Sequence, residues 1–214
     1  MTKLRPDLPL AAAPVPAAHR SAPRRRTIRR IGDAATAEAL GPLMPDCELF
    51  CLTNGEFSII DIVSHALDHT GPADVDIATW TAADGDLRRA HAMLLRGDVR
   101  RLRMLVDPSF RSRKPEFCQT LIDLFGRDAI RTMPLHGKFV AIRNDAWKLA
   151  IRTSMNLNPN RRIESVEISG DPALCDFLTD FVDQCFARSA DANFASQSRE
   201  QLATHGGAVS RLAF

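Results

Sequence analysis

The chain has 214 residues, of which 45% are hydrophobic and 25% charged, the profile of a globular protein with a sizeable core. No apolar run approaches the ~18 residues that a membrane-spanning helix needs, which argues against stable membrane association. The net charge of +2 conceals an asymmetry, because residues 1–30 contain eight Lys or Arg and one acid, Asp7, whereas the remainder is acidic.

The N-terminal segment is basic and rich in proline and alanine, and we predict an unpacked arm over residues 1–45. Its arginines include Arg24, Arg25, Arg26, Arg29 and Arg30. Arginine-rich arms neutralise the phosphates of nucleic acids without reading their sequence. A solvated tail with no ligand is the alternative interpretation, and composition alone leaves both open.

Hydrophobic periodicity predicts alternating strands and helices from residue 46 onward. Strands are predicted at 47–53, 74–80, 99–107, 129–134 and 162–169, and helices at 56–71, 84–96, 113–126 and 171–189. The runs "HGKFVAIR" and "WKLAIRTS" predict a β-hairpin around Asn144. This order predicts one α/β domain over 46–189, with a mixed, mostly parallel sheet flanked by helices on both faces. Residues 190–214 are predicted to form a polar tail.

The five cysteines are widely spaced, odd in number and without a CxxC motif, which favours reduced thiols in the cytoplasm. Cys47 and Cys51 flank an apolar run, and His65 and His69 are four apart on a predicted helix. We interpret both pairs as structural residues rather than metal ligands. We therefore expect neither a metal site nor a cofactor.

Four polar residues fall near the open end of the predicted hairpin: His136, Lys138, Ser154 and Asn156. A three-residue turn at 144–146 would place His136 opposite Ser154. A two-residue turn would shift the register by one and put Ser154 on the other face of the hairpin. The sequence leaves both turns open, and the predicted contact of His136 with Ser154 depends on the three-residue turn.

The residue types in this cluster suit phosphoryl chemistry. Lysine supplies a positive charge for phosphate oxygens, and serine and asparagine add neutral donors. Histidine can attack phosphorus or transfer a proton near neutral pH. A carboxylate is expected to orient the imidazole, and the local candidates are Glu164 and Glu167 on the next strand.

The motif "HGK" followed by "TSMN" resembles the HxK…GSxN signature of the phospholipase D superfamily, and the resemblance covers roughly residues 47–189. It implies a phospholipase D-like half-domain in which His136 forms a phosphohistidine intermediate without a metal. Lys138, Ser154 and Asn156 would bind the phosphate, and Glu167 best matches the orienting acid. Because only one motif is present, the resemblance implies a homodimer in which two copies of His136 meet.

Two positions differ from the family pattern: Arg143 stands where the family has aspartate, and Thr153 where it has glycine. The sequence therefore supports a phosphodiesterase, and the basic arm favours a nuclease over a lipid enzyme. We expect DNA rather than RNA as the substrate. A catalytically weakened module that binds nucleic acid or serves in assembly is the alternative. A lipid phosphodiesterase is a third interpretation. Neither the physiological substrate nor its strand preference follows from the sequence.

Overall fold

One eight-stranded sheet organises the described residues 27–30, 36–110, 115–158 and 161–188 of this computed structural model. The strands are β1 (Thr27–Arg30), β2 (Glu48–Thr53), β3 (Ala73–Thr79), β4 (Val99–Val106), β5 (Ile130–Thr132), β6 (Phe139–Arg143), β7 (Lys148–Thr153) and β8 (Glu164–Ser169). The α-helices are α1 (Thr36–Leu40), α2 (Ile59–Thr70), α3 (Asp84–Arg96), α4 (Pro115–Phe125) and α5 (Pro172–Arg188).

The strand order is β1-β2-β8-β7-β6-β3-β4-β5, and the pairing is mixed. Parallel pairs join β1 to β2, β3 to β4 and β4 to β5. Antiparallel pairs join β2 to β8, β3 to β6, β6 to β7 and β7 to β8. The α/β class and the mixed sheet are confirmed, but the sheet is not mostly parallel. The segments that connect β6 to β7 and β7 to β8 are too short for the crossover that parallel strands need, so these neighbouring strands are antiparallel.

The sheet buries apolar side chains on both faces, as the four consecutive buried residues of β6, from Phe139 to Ile142, show. Val140 and Ile142 join a core with α1, α2, α3 and α4, whereas Phe139 and Ala141 join a second core beneath α5. Helices on both faces are therefore confirmed. In the described ranges no helix combines the length and apolar character needed to cross a membrane.

The packed structure begins before residue 46, which corrects the predicted boundary of the arm. The backbone of β1 pairs with β2, and Leu40 and Leu43 are buried in the first core. Gly170 closely approaches the chain at Pro45, since a Cβ at Gly170 would lie 2.1 Å from the Pro45 carbonyl oxygen. The predicted arm thus overlaps the fold at 27–30 and 36–45. Residues 1–26 and 31–35, and the predicted tail at 190–214, lie outside the described residues.

A buried ion pair links strands β3 and β4 to α5. Arg103 of β4 donates from Nε and Nη2 to the two carboxylate oxygens of Asp76 on β3, both at 2.7 Å. Its Nη1 donates to Asp183 of α5. Asp76 and Arg103 are 2% and 7% exposed. Because unpaired charges are costly in such surroundings, this contact fixes how β3, β4 and α5 fit together.

We expect Asp76→Asn to lower the free energy of unfolding by about 3 kcal/mol, because it leaves a buried guanidinium without its bidentate partner. Asp74→Asn is the matched control. Asp74 contacts the exposed Arg100 and Arg101 at 3.6 and 3.4 Å, so its loss should cost below about 1 kcal/mol. Urea unfolding of the three proteins measures both effects. Equal losses of unfolding free energy in the two variants would contradict the conclusion that the buried ion pair fixes this packing.

Candidate active site

The predicted site residues gather where β3 and β7 end and β6 and β8 begin, which we call the site end of the sheet. His136 and Lys138 precede β6 rather than lying within it, and Ser154 and Asn156 follow β7. His136 and Ser154 are exposed, whereas Lys138 and Asn156 are half-buried. The site is therefore built from strand ends and loops that are open to a ligand.

The structure decides the hairpin register that the sequence leaves open. The Asn144 amide donates to the Trp147 carbonyl at 2.9 Å, and the Asn144 side-chain oxygen accepts from the amides of Ala146 and Trp147. This side-chain turn fixes a two-residue tip, so of the two registers left open by the sequence the two-residue one is formed. Lys138 consequently pairs with Thr153, whose amide donates to the Lys138 carbonyl at 3.2 Å. His136 is not opposite Ser154 by strand register.

His136 and Lys138 are nevertheless in direct contact. Lys138 Nζ lies 3.4 Å from Nδ1 and 3.3 Å from Nε2 of the His136 ring. Because the two distances are nearly equal, the ammonium does not lie along the lone pair of either nitrogen. The lysine therefore places a positive charge beside the imidazole without occupying its nucleophilic electron pair.

Glu164 connects Ser154 and Lys138. The Ser154 hydroxyl donates to Glu164 Oε2 and accepts from the Ser165 amide at 2.9 Å. Partial burial lowers the pKa of Lys138, and the negative charge of Glu164 opposes that shift. The carboxylate thus fixes the serine hydroxyl and helps Lys138 to keep its charge. An ammonium, an imidazole, a hydroxyl and a carboxylate are brought together here.

Glu167, the carboxylate favoured from the sequence, lies three positions further along β8. It is opposite Arg152 of β7, and Arg152 Nη2 lies 2.9 Å from Glu167 Oε2. The structure therefore places Glu164 rather than Glu167 against Ser154 and Lys138. The orienting role of Glu167 stays a prediction, and Glu164 is the stronger candidate for organising the site.

The two departures from the family motif have clear positions in the fold. Arg143 ends β6 beside the hairpin tip, far along the strand from His136. The Thr153 hydroxyl donates to the Ser165 carbonyl at 2.8 Å and accepts from the Met155 amide at 3.0 Å. Thr153 therefore shapes the bend that carries Ser154 and does not direct its hydroxyl to a ligand.

The segment that carries Asn156 is tied to the loop after β3. The Leu157 amide donates to the Thr81 carbonyl at 3.1 Å, and the Ala83 amide donates to the Leu157 carbonyl at 2.7 Å. Asn156 Oδ1 is buried and has no hydrogen-bond partner. The oxygen and nitrogen of an asparagine amide are nearly the same size, so the amide can be turned to place its NH2 group at this buried position. In that orientation Asn156 would donate a hydrogen bond to a ligand oxygen.

The remaining predicted residues fall outside this cluster. Arg24, Arg25 and Arg26 lie outside the described residues, and the backbone of Arg29 and Arg30 pairs with β2 in strand β1. The latter two therefore do not belong to an unpacked arm. Within the part of the chain that is described, no group of three or more His, Cys, Asp or Glu side chains could hold a metal ion.

Trp80 is a neighbour of the site that the sequence did not single out. It follows β3 directly, and its ring lies 5.8 Å from the His136 ring between centroids, with 59° between the planes. The signal is invisible in the sequence, because Trp80 and His136 become neighbours only through the pairing of β3 with β6.

Solved structures of similar shape include NucT from Helicobacter pylori and Nuc from Salmonella typhimurium. NucT from Helicobacter pylori matches with 11% identity and a TM-score of 0.45, covering 66% of this chain and 97% of that protein. Nuc from Salmonella typhimurium, a phospholipase D family member, matches with 18% identity and a TM-score of 0.44, covering 66% and 94%. No protein-family model and no curated protein matches the sequence.

Replacing the Glu164 charge should lower the pKa of Lys138 further, because burial would then act on the ammonium unopposed. We expect Lys138 in Glu164→Gln to lose its proton at a lower pH than in the parent protein. Nuclear magnetic resonance of isotope-labelled lysine side chains measures this, since the sequence has only four lysines and Lys138→Met assigns the signal.

Glu167→Gln is the matched control for this titration, since it removes a carboxylate from the same strand that pairs with Arg152 instead. It should leave the Lys138 titration close to that of the parent. A larger decrease of the Lys138 pKa in Glu167→Gln than in Glu164→Gln would indicate that Glu167 is the carboxylate of the site.

Proposed function

We propose that the protein is a metal-independent phosphodiesterase of the phospholipase D type, most specifically a nuclease that hydrolyses DNA. One observation carries the proposal: the Lys138 ammonium contacts the His136 imidazole in an exposed site without occupying either lone pair. A phosphodiester drawn to the ammonium would meet an imidazole nitrogen whose electron pair is available for attack.

The proposed reaction has two steps. A nitrogen of His136 attacks phosphorus, a phosphorus–nitrogen bond forms, and the bond to the leaving oxygen breaks. Water then attacks the phosphohistidine, releasing the phosphate monoester and restoring the imidazole. Lys138 and Asn156 bind the non-bridging oxygens and stabilise the charge that gathers on them in the transition state. Ser154 would join them by turning its single O–H from Glu164 toward a phosphate oxygen. The carboxylate orienting these groups would be Glu164, with Glu167 as the candidate from the motif.

The first step also needs a proton for the leaving oxygen, because an alkoxide is a poor leaving group near neutral pH. In a homodimer, the His136 of a second copy would supply it, so that one imidazole acts as nucleophile and the other as general acid. The single motif in this sequence supports that arrangement. The basic residues of the N-terminal segment support DNA as the substrate, since they would neutralise its phosphates.

A second candidate is a module that binds nucleic acid without cleaving it. Thr153 is the observation that favours it, because a side chain replaces the family glycine at the bend next to Ser154. A fixed side chain there restricts how the bend adjusts to a pentacovalent phosphorus. Binding of nucleic acid and its cleavage therefore need separate measurements.

We expect purified protein to cleave labelled DNA in the presence of EDTA, and His136→Ala to abolish cleavage, with a loss of at least about 1,000-fold because the nucleophile is absent. His91→Ala is the control, since His91 packs against Phe125 with ring centroids 5.9 Å apart and is not a site residue. Binding without cleavage in the parent protein would favour the module instead.

The two-histidine arrangement predicts a dimer in solution. Light scattering should give a mass near twice 23.6 kDa at the concentrations used for cleavage. Mixing His136→Ala with an excess of parent protein should then produce hybrid dimers with reduced turnover, since each lacks one imidazole. A monomer with full cleavage activity would contradict the mechanism.

A further inference from the structure

Two arginines stand directly before β8, at the site end of the sheet. Arg161 and Arg162 are both exposed, and Glu164, the first residue of β8, follows Arg162 by two positions. Glu164 accepts a hydrogen bond from Ser154, and its charge acts on Lys138. Because two residues of chain span at most about 7 Å, Arg162 is attached at the edge of this cluster.

The side chains of this arginine pair are open to a ligand. In the part of the chain that the structure describes, neither Arg161 nor Arg162 forms an ion pair or a side-chain hydrogen bond. Arg152, which is also exposed at this end of the sheet, instead lies 2.9 Å from the Glu167 carboxylate. An exposed guanidinium without a carboxylate partner is suited to phosphate, which it binds through paired N–H donors.

We propose that Arg161 and Arg162 form a second phosphate subsite, which binds a phosphodiester next to the one at His136 and Lys138. This inference rests on the proposed function and restricts its substrate to a strand with consecutive phosphates. A nucleic acid offers a phosphate at every nucleotide, so the guanidinium groups would contact neighbours of the scissile phosphate. Such contacts position the strand without reading its sequence.

The apolar surface beside the pair favours nucleic acid over an anionic membrane. Ile163, which follows Arg162, is 75% exposed. Met44 and Leu95, the other large hydrophobic residues exposed in the described ranges, lie at the opposite end, before β2 and in the last turn of α3. Burial of one isoleucine contributes at most about 3 kcal/mol, and stable membrane anchoring needs more than one such contact.

The test measures the affinity for a short oligothymidylate as a function of salt, in a His136→Ala background that lacks the proposed nucleophile. Each phosphate contact that is lost lowers the slope of log affinity against log salt by about 0.7 for a single strand. We expect Arg161→Gln with Arg162→Gln to lower the slope by about 1.4. The same double variant should weaken binding about 10-fold at about 0.15 M salt.

A matched control removes the same charge from the other end of the sheet. Arg100 and Arg101 lie near the start of β4, where both contact Asp74. Arg100→Gln with Arg101→Gln should leave the slope close to that of the background. Arg161→Lys with Arg162→Lys should retain most of it, because an ammonium also neutralises phosphate. Equal decreases in the two glutamine variants would overturn the subsite, because only net charge would then matter.

The length of the ligand gives an independent measurement. A dithymidine ligand with a single phosphodiester occupies the site at Lys138 and offers no neighbouring phosphate. The background protein should therefore bind the oligothymidylate more tightly than the dithymidine ligand. Loss of Arg161 and Arg162 should reduce that affinity ratio by about 10-fold at about 0.15 M salt. A ratio that is the same with and without the two arginines would contradict the inference.

The outcomes distinguish this inference from the proposed function. Binding that requires Arg161 and Arg162, without cleavage by protein that retains His136, would support the subsite and reject the nuclease. Cleavage of DNA together with an unchanged salt slope in the glutamine variant would do the reverse. Tighter arginine-dependent binding to phosphatidylglycerol vesicles than to oligothymidylate would overturn nucleic acid as the ligand.

Discussion

The antiparallel pairing of β6 with β3 is the constraint on which the site depends. Ala78, at the end of β3, pairs with Phe139, at the start of β6. This single contact between strand ends brings the residues before β6 next to those after β3, so that His136 meets Trp80. With β6 in that position, the hairpin places the end of β7 and the start of β8 at the same end of the sheet.

The electrostatics of the site follow from this arrangement of strand ends. Partial burial disfavours the charge on Lys138, and Glu164 offsets part of that effect from the neighbouring strand. The same carboxylate fixes the hydroxyl of Ser154. The half-buried Lys138 ammonium is thereby held ready for an anion, in a position where long-range attraction and desolvation both act.

Much of the architecture could be predicted because helix and strand periodicity are local properties of the sequence. The helices after β2, β3 and β4, the hairpin and α5 all follow from that periodicity. Strand direction and strand order could not be predicted in this way, because β8 lies between β2 and β7 through contacts between residues far apart in the sequence. The core positions of Leu40 and Leu43 were missed for a similar reason, since their partners lie beyond a proline- and glycine-containing stretch.

The predicted site residues lie at one end of the sheet, but their arrangement differs from the hairpin geometry considered from the sequence. His136 and Lys138 are in contact, as their spacing in the sequence suggests. The register of the β6–β7 hairpin, however, depends on the Asn144 side chain, which closes a two-residue tip. The choice between Glu164 and Glu167 depends on the pairing of β7 with β8, which a motif match cannot resolve. Hydrogen bonds made by side chains in a turn decide such registers. The spacing of residues along the sequence does not show how strong those hydrogen bonds are.

The pairing of β2 with β8 has a consequence for how the chain reaches this fold. The Ser169 hydroxyl donates to the Glu48 carboxylate between residues 121 positions apart, and Gly170 must fit closely against Pro45 nearby. During synthesis, β2 therefore cannot pair with β8 until nearly all of the described chain has left the ribosome. The apolar face of β2 stays exposed in that interval, and we expect contacts of such long sequence separation to slow folding.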